Sequence, residues 1–336
     1  YVVVNRRKGP NEVVKIPKPP FTPVEIDASQ RSPYFDQLAA IAAKPLEPRF
    51  VEQGRDYQVS EMRTGRLYHV QNPVNDLFSV SFRFPLGTDH HQELGLAFGL
   101  VGLGGAGELN PVDFRRRLYA LGSSVTGGAG AQESVITVTG LDAHFDETLA
   151  LMREHFLSPT GVGQGELQQL VARTIGGRAN QKVNAQAVNG ALVNYALRGE
   201  KSSFLTAPSN AELQALQADV ALGRVADLFG LKRKVSYVGT RSAADVAAAL
   251  DAAETNTDLA DGPAYTPETL VKPAKNRVLL VDKKANQSLV TLLGPDGPFE
   301  PSEVPAQIAY NEFMSGSMGS VVFEEVREAR ALAYPV

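Results

Sequence analysis

Five histidines and no cysteine are available in this chain for binding a transition metal. His90, His91 and Glu93 come closest to a ligand cluster, because they offer the spacing His-x-x-Glu. The second histidine of such a motif would stand where the chain has Leu94, and two adjacent histidines on a loop do not converge as ligands four apart on a helix do. We therefore interpret this segment as a polar, solvent-exposed loop.

The remaining three histidines lie in predicted regular structure. His144 and His155 belong to an amphipathic helix with acidic neighbours, which is typical of a helix surface. His69 lies in a strand, where we expect a packed or edge residue rather than a ligand. The histidines therefore predict no metal site.

A glycine pattern, Gly102-x-Gly104-x-x-Gly107, formally matches the dinucleotide-binding fingerprint. That motif requires a strand before it, a helix that opens inside it and an acidic residue about 20 positions later. Here a predicted helix precedes the glycines, the next helix begins only at Pro111, and residues 124–130 contain no acidic side chain. We interpret the glycines as a sharp turn between two helices and reject a nicotinamide-dependent oxidoreductase.

Composition excludes several other classes of protein. The 336 residues carry 33 basic and 37 acidic side chains, a net charge of −4, which argues against a general nucleic-acid binder. Hydrophobic residues make up 43% and charged residues 21%, so the chain can form a core. No apolar run reaches the roughly 18 residues that span a bilayer, and without cysteine there can be no disulfide or thiolate site.

The hydrophobic periodicity predicts an α+β protein, with helices covering one face of a mixed, largely antiparallel sheet. Strands are predicted over 66–71, 77–84, 134–139 and 235–239. Helices are predicted over 94–103, 111–121 and 243–253, with two or three more across 165–230. Residues 66–71 and 77–84 are expected to form a strand pair around the intervening turn.

Two helices have recognisable boundaries. Asn110 is a predicted N-cap with Pro111 at the first helical position, and Gly122 follows the end of that helix. Asp142 is expected to cap a second helix. Its apolar face is made of Phe145, Leu149, Met152 and Phe156.

Residues 10–50 contain eight prolines, a density that prevents long helices and central strands. We interpret this segment as an extended connector with one short helix over 34–43. The chain opens on a strand-like Tyr1–Val4 without an initiating methionine, so we expect sequence upstream of it.

The pattern of residues 65–122 restarts near residue 276. A strand pair (277–282, 287–294), a helix (305–314), a glycine-rich loop (315–319) and a second helix (321–330) follow in the same order. The offset is 211 residues between Gly65 and Asn276 and 209 between Phe114 and Phe323. We therefore predict an opening strand and connector (1–55), one complete domain (56–256), a linker (257–275) and the first third of a second copy (276–336), which we expect to continue beyond Val336.

These features together resemble the M16 metallopeptidases, the pitrilysin, insulinase and mitochondrial processing peptidase-like family. The resemblance rests on the strand pair, the helix Gly95-Leu-Ala-Phe-Gly-Leu-Val-Gly102, the repeat near 210 residues and the ending Val326-Arg-Glu-Ala-Arg-Ala-Leu-Ala-Tyr334. It covers nearly the whole chain after Gly65 and implies the LuxS/MPP-like metallohydrolase fold. The connector resembles the junction between the two modules of a long bacterial M16 protein, which would make this chain the second half.

Active members of that family bind zinc through an H-x-x-E-H motif on the helix that resembles residues 95–102. The histidines bind the metal and the glutamate activates a water molecule. The three corresponding positions here are Phe98, Val101 and Gly102, and the position of a further glutamate ligand falls near Gly176–Gly177. The resemblance therefore implies a degenerate zinc motif, no metal in this chain, and zinc in a partner half.

The resemblance also implies a role for Arg327 and Tyr334, because the family's second half supplies an arginine and a tyrosine seven residues apart. Both would reach the partner's zinc site and hydrogen-bond the scissile carbonyl as negative charge develops on it. The alternative is an ordinary helix-surface pair of Arg327 with Glu324 and a packed Tyr334. Ala331 departs from the family's usual glycine. The preceding loop would let a substrate backbone approach closely or would only join two helices; it contains Ser315, Gly316, Ser317 and Gly319.

The resemblance implies the non-catalytic half of a zinc metalloendopeptidase, inactive by itself, that closes a chamber around unfolded peptide substrates. The upstream zinc-bearing half is its implied partner. The alternative is a degenerate M16-like structural subunit with no proteolytic role. A periplasmic location is favoured over a cytoplasmic one.

Overall fold

The computed structural model describes residues 32–42, 49–283, 288–294, 297, 299–330 and 332–333. The chain divides into two compact units, Tyr1–Phe50 and Val51–Val336. In the first unit, helix α1 spans Pro33–Ala39, and the Ser32 hydroxyl caps it by accepting a hydrogen bond from the Phe35 amide at 3.1 Å. The helix predicted over 34–43 is therefore present but ends at Ala39. The predicted opening strand at Tyr1–Val4 lies outside the described residues.

A six-stranded sheet organises the second unit, with the order β1-β2-β6-β3-β5-β4. All neighbouring strands are antiparallel except β2 and β6, which are parallel. The strands are β1 Gln58–Met62, β2 Gly65–Gln71, β3 Leu77–Phe84, β4 Ser124–Ala129, β5 Ser134–Leu141 and β6 Arg233–Gly239. The predicted pairing of β2 with β3 is wrong, because β6 lies between them and pairs with both.

Helices lie in the connections between the strands and pack on one face of the sheet. They are α2 Leu94–Val101, α3 Pro111–Ala120, α4 Phe145–Leu157, α5 Gln164–Val183, α6 Ala185–Arg198, α7 Ser203–Thr206, α8 Asn210–Ala215, α9 Ala218–Asp227 and α10 Ala243–Ala253. Within the described residues, no helix is both long enough and apolar enough to cross a membrane.

The alternation along β3 shows which face is covered. Four of its five apolar residues are buried in the main core cluster, while Leu77, Ser79, Ser81 and Arg83 lie on the opposite, less buried face. The buried four are Phe78, Val80, Phe82 and Phe84. The predicted apolar face of α4 is buried in the same cluster. The sheet and the helices that cover this face therefore form two layers around one main core.

Asp142 does not cap α4, contrary to the prediction. A short 3₁₀ turn over Asp142–His144 precedes the helix, which begins at Phe145 without a side-chain cap. The Asp142 carboxylate instead accepts hydrogen bonds from the Tyr237 hydroxyl at 3.1 Å and the Thr240 amide at 2.8 Å. It therefore ties the start of α4 to the end of β6.

Gly65 permits the close approach of β2 to β6. Its φ is +132°, and a Cβ at this position would lie 2.0 Å from the Arg233 carbonyl oxygen. A larger residue would therefore have to displace the backbone of the neighbouring strand.

The predicted repeat of the strand pair is not confirmed by the residues that the structure describes. Residues 277–283 and 288–294 are in no strand, and their apolar side chains, such as Val278 and Leu292, are exposed. A strand needs a neighbouring strand to bond its N–H and C=O groups, and within the described residues these segments form no such backbone hydrogen bonds. The helical part is present as α11 (Val304–Asn311) and two π-helical turns, Glu312–Gly316 and Phe323–Glu328.

Candidate functional site

The positions of the degenerate zinc motif lie on α2 and at its C-terminal end. Phe98 and Val101 are buried in the main core, and Gly102 is the exposed C-cap. The Phe98 ring packs edge-on against Phe156 with ring centroids 6.0 Å apart. A Cβ on Gly127 of β4 would lie 2.8 Å from the Phe98 ring. Hydrocarbon therefore fills the space beside the first motif position, and these side chains offer neither a metal ligand nor a proton acceptor.

The position of the expected further glutamate is equally without ligands. Gly176 and Gly177 lie within α5, with open space where a Cβ would stand. Across the described part of the chain, no group of three or more His, Asp or Glu side chains could hold a metal ion.

The loop that precedes α2 contains His90, His91 and Glu93, and their contacts are local. The His90 Nδ1 atom accepts a hydrogen bond from the Gly87 amide at 3.1 Å, and the His91 Nδ1 atom lies 3.9 Å from Glu93 Oε1. The same Glu93 oxygen is 3.1 Å from Nε of Arg224 on α9. The carboxylate is thus already paired with a cation, which agrees with the interpretation as a polar loop.

The glycine-rich segment after α2 is a packed turn. The Gly105 amide donates to the Thr160 carbonyl at 2.8 Å, and the Gly107 amide donates to the Ser158 carbonyl at 3.1 Å. A Cβ on Gly105 would lie 1.9 Å from the Leu109 carbonyl oxygen. The amides that could have bound a phosphate therefore bond the chain itself.

His155 is buried, so its predicted surface position is wrong. Its Nδ1 lies 2.9 Å from the Gly105 carbonyl oxygen, and its ring stacks on Phe114 with centroids 4.4 Å apart. Because a carbonyl can only accept, Nδ1 carries the proton. Burial lowers the pKa of His155, the hydrogen bond to Gly105 opposes this, and the charge of Arg115 adds to the lowering. The histidine acts as a core residue that fastens the glycine-rich turn to α4.

His69 is packed, as the sequence predicts. It is buried in β2, where its Nε2 lies 2.8 Å from the Arg241 carbonyl oxygen and its ring stacks on Tyr237 at 5.3 Å. The strand lies between β1 and β6, so the position is interior rather than at an edge.

Arg327 lies on the π-helical turn Phe323–Glu328. Its Nε is 3.3 Å from Glu328 Oε1, and its guanidinium lies over the Phe323 ring at 4.4 Å. These contacts hold the Arg327 side chain against its own helical turn. Tyr334 lies outside the described residues, so its role together with Arg327 stays a prediction.

The loop before that turn contains the predicted substrate-binding residues. Ser315, Gly316, Ser317 and Gly319 are all exposed. The Ser320 amide donates to the Ser317 carbonyl at 3.1 Å, and the Ser320 carbonyl accepts from the Glu324 amide at 3.0 Å. The loop is therefore a surface turn that leads directly into the segment carrying Arg327.

A buried ion cluster, which the sequence pattern did not predict, joins three elements. Arg153 of α4 donates to both carboxylate oxygens of Glu254, at 3.1 and 3.2 Å, and Arg233 of β6 donates to one of them. The side chains of Arg233 and Glu254 are only 4% and 2% exposed. The one local signal is that Arg233 occupies an inward position in the alternation of β6.

The charge state of this cluster follows from its contacts. Burial would raise the pKa of Glu254, but hydrogen bonds from Arg153 and Arg233 outweigh it and hold that pKa at about 2. Burial lowers the pKa of Arg233, and Glu254 opposes that effect. We conclude that Glu254 is a carboxylate at neutral pH, hydrogen-bonded to both arginines.

No family model and no curated protein sequence matches the chain. Several solved structures are similar to it. The chain is similar to the peptidase M16 inactive domain from Pseudomonas fluorescens, with 18% identity and a TM-score of 0.61, over 83% of this chain and 69% of that one. It is also similar to the periplasmic protease PqqL from Escherichia coli and to a mutant of the ferredoxin protease FusC in complex with Arabidopsis ferredoxin. Each of these has 12% identity and a TM-score of 0.52, over 70% of this chain but only 29% of the protease. The chain therefore has the α+β fold of M16 peptidase domains, including that of an inactive one.

Proposed function

We propose that this chain is the non-catalytic half of a two-module M16 zinc metalloendopeptidase. The observation that carries the proposal is the combination of an M16-like fold with an apolar core in place of the zinc motif, at Phe98 and Val101. Such a half can contribute to peptide hydrolysis only through contacts with a catalytic half. Its proposed task is to close the chamber around an unfolded peptide, with zinc held by the partner half.

In this proposal, Arg327 and Tyr334 hydrogen-bond the scissile carbonyl oxygen as it becomes negative on the partner's zinc site. A guanidinium is suited to this task because it stays charged and presents several N–H donors in one plane. The surface turn before Arg327 would contact the substrate backbone through Ser315, Gly316, Ser317 and Gly319. The exposure of this loop supports the proposal, because an exposed backbone is accessible to an extended peptide.

We also propose a periplasmic location. The similar protease PqqL is described as periplasmic. This part of the proposal is tested by fractionating cells that express the full-length protein and by following the chain with an antibody.

Replacement of Arg327 in the assembled two-half protein tests the catalytic role. Arg327→Ala is expected to lower kcat for a peptide substrate by about 10²–10³, the usual cost of losing one preorganised oxyanion donor. If Arg327 only forms the surface contact with Glu328, its loss should cost under about 1 kcal/mol of stability and leave kcat unchanged. Steady-state kinetics with zinc content measured on every variant separates these outcomes.

Arg330→Ala is the matched control. Arg330 lies three residues further along, its guanidinium is bonded to Glu325, and its side chain is 55% exposed. We expect this variant to keep wild-type kcat. If Arg327→Ala retained more than about a third of the wild-type kcat/KM with zinc bound, the catalytic role would be wrong and the chain would be a structural subunit.

A further inference from the structure

The face of the sheet opposite the main core carries a row of positive charges. Paired residues of neighbouring strands lie side by side, so their side chains form rows across the sheet. In one row, Arg66 of β2 lies beside Lys234 of β6, and Lys234 lies beside Arg83 of β3. Lys234 is exposed, and the side chains of Arg66 and Arg83 are 52% and 45% exposed. Three cations therefore stand next to one another on three adjacent strands, which are about 4.8 Å apart.

Lys234, at the centre of this row, differs from its two neighbours in its contacts. Arg66 Nε lies 2.7 Å from an oxygen of Glu61, and the Arg83 guanidinium lies 2.6 Å from an oxygen of Glu133. Among the residues that the structure describes, the Lys234 side chain has no ion pair or hydrogen bond. Like charges side by side on neighbouring strands repel one another. A negative group placed over Lys234 would be attracted by all three cations.

The character of this face changes along the strands, from basic through hydroxyl-bearing to apolar. The three rows that follow the cations contain Tyr68, Ser236, Ser81 and Thr137, then Val70 and Val238, then Leu77 and Leu141. Val238, Leu77 and Leu141 are 42%, 49% and 41% exposed. The last two rows lie four and six residues from the cations. At about 3.3 Å per residue, they are roughly 13 and 20 Å away.

We propose that this face docks an extended peptide that has an acidic residue at one end and apolar residues four and six positions away. The acidic side chain lies over Lys234, between Arg66 and Arg83, and the apolar side chains lie over the valine and leucine rows. An extended chain fits because its rise per residue matches that of the strands beneath it. A nucleic acid fits less well, because it carries a phosphate charge at every nucleotide and would place several of them over apolar side chains.

In naming a peptide as the occupant, this inference rests on the proposed function. The binding test requires neither zinc nor the partner half, so the two proposals can fail separately. Absence of binding would overturn the docking face and leave the proposed role of Arg327 as it stands.

The test measures binding of a fluorescently labelled peptide to the whole chain by fluorescence anisotropy. The probe begins with two glutamates, has leucines four and six positions after the second glutamate, and has serines elsewhere. We expect saturable binding that weakens as the salt concentration rises, and binding at least about tenfold weaker when glutamine replaces both glutamates. A peptide of the same composition with the leucines next to the glutamates should also bind more weakly, because it cannot reach both ends of the face at once.

Lys234→Glu reverses the central charge and should weaken binding of the glutamate probe at least about tenfold. The melting temperature should not fall, because the new carboxylate lies between two arginines. Lys201→Glu is the matched control, since Lys201 is exposed in the 3₁₀ turn Gly199–Lys201 and the net charge changes equally. This variant should bind the probe as wild type does.

Four results would overturn the proposal. They are no saturable binding by wild type, equal binding of the glutamate and glutamine peptides, equal losses in Lys234→Glu and Lys201→Glu, and tighter binding of a single-stranded DNA oligonucleotide than of the probe. The last result would identify a general polyanion site instead of a peptide-docking face.

Discussion

Glu254 is the residue on which the buried cluster depends. It lies at the end of α10 and accepts hydrogen bonds from Arg153 of α4 and Arg233 of β6. Glu254→Gln should lower the free energy of unfolding by about 3–5 kcal/mol, because removing one partner of a buried ion pair leaves its counter-charges uncompensated. Urea denaturation followed by circular dichroism measures this change.

An exposed ion pair provides the comparison for that prediction. Glu147 of α4 pairs with Arg117 of α3, and the two side chains are 41% and 50% exposed. Glu147→Gln makes the same chemical change at the surface and should cost under about 1 kcal/mol. Equal losses in the two variants would mean that the buried cluster contributes no more than a surface pair.

His155 should make the stability of the chain depend on pH. Its pKa in the folded state lies below the ordinary value of 6.5, mainly because of burial. As the pH falls below about 6.5, the unfolded chain binds a proton that the folded chain resists, so the free energy of unfolding decreases. Measured between pH 7.5 and 5.5, His155→Gln should lose less stability than wild type, since glutamine can still donate to Gly105 but takes up no proton.

His144→Gln is the comparison for this effect, because it removes a histidine that is only half-buried, in the turn just before α4. If His155→Gln and wild type lost the same stability between pH 7.5 and 5.5, the buried histidine would not be the cause of the acid sensitivity.

At the scale of the element, α3 shows how the N-cap residue fixes where a helix begins. The Asn110 side-chain oxygen accepts hydrogen bonds from the Val112 and Asp113 amides at 2.9 and 3.0 Å. Asn110→Ala should cost about 1 kcal/mol, the usual value of an N-cap, with a range of about 0.5–2. Thermal unfolding of the whole chain measures it. Asn110→Ser keeps a capping oxygen and should be near neutral, so equal losses in the two variants would contradict a capping role.

At the scale of the whole molecule, the buried clusters indicate which part of the chain folds as a unit. In the described part of the chain, the three clusters of buried apolar residues lie between Leu67 and Leu250. Ala260 adds a bridge to Leu231 at the end of this part. A fragment from Val51 to Asp261 should therefore unfold in one cooperative transition, with a melting temperature close to that of the full chain.

A shorter fragment from Val51 to Leu250 is the control. It lacks Glu254 and Ala260, so Arg153 and Arg233 lose their carboxylate and the bridge to Leu231 is absent. Calorimetry should show a clearly lower melting temperature for this fragment. A broad, non-cooperative transition in the longer fragment would show that residues after Asp261 are needed for the fold.

Local patterns were sufficient to predict many of the elements. The alternation of β3 and the boundary residues of α3, Asn110 and Gly122, involve neighbours within a few residues of one another, so they can be read along the chain. The empty zinc motif could be predicted for the same reason, because Phe98, Val101 and Gly102 lie within one turn and a half of helix and none can bind a metal. The sequence alone therefore determined the α+β class, the apolar face of α4 and the absence of metal ligands at these three positions.

Only the tertiary structure decided how distant segments meet. β6 enters the sheet between β2 and β3 although about 150 residues separate it from β3, and β4 pairs despite Gly127 and Gly128, which are poor strand formers. His155 is buried because the glycine-rich turn and Phe114 of α3 close over it. Arg153, Arg233 and Glu254 are remote in sequence, so their charges have no visible relation until α4, β6 and α10 pack together. Burial and electrostatics depend on the three-dimensional neighbours of a residue, and those neighbours are set by long-range packing rather than by local sequence pattern.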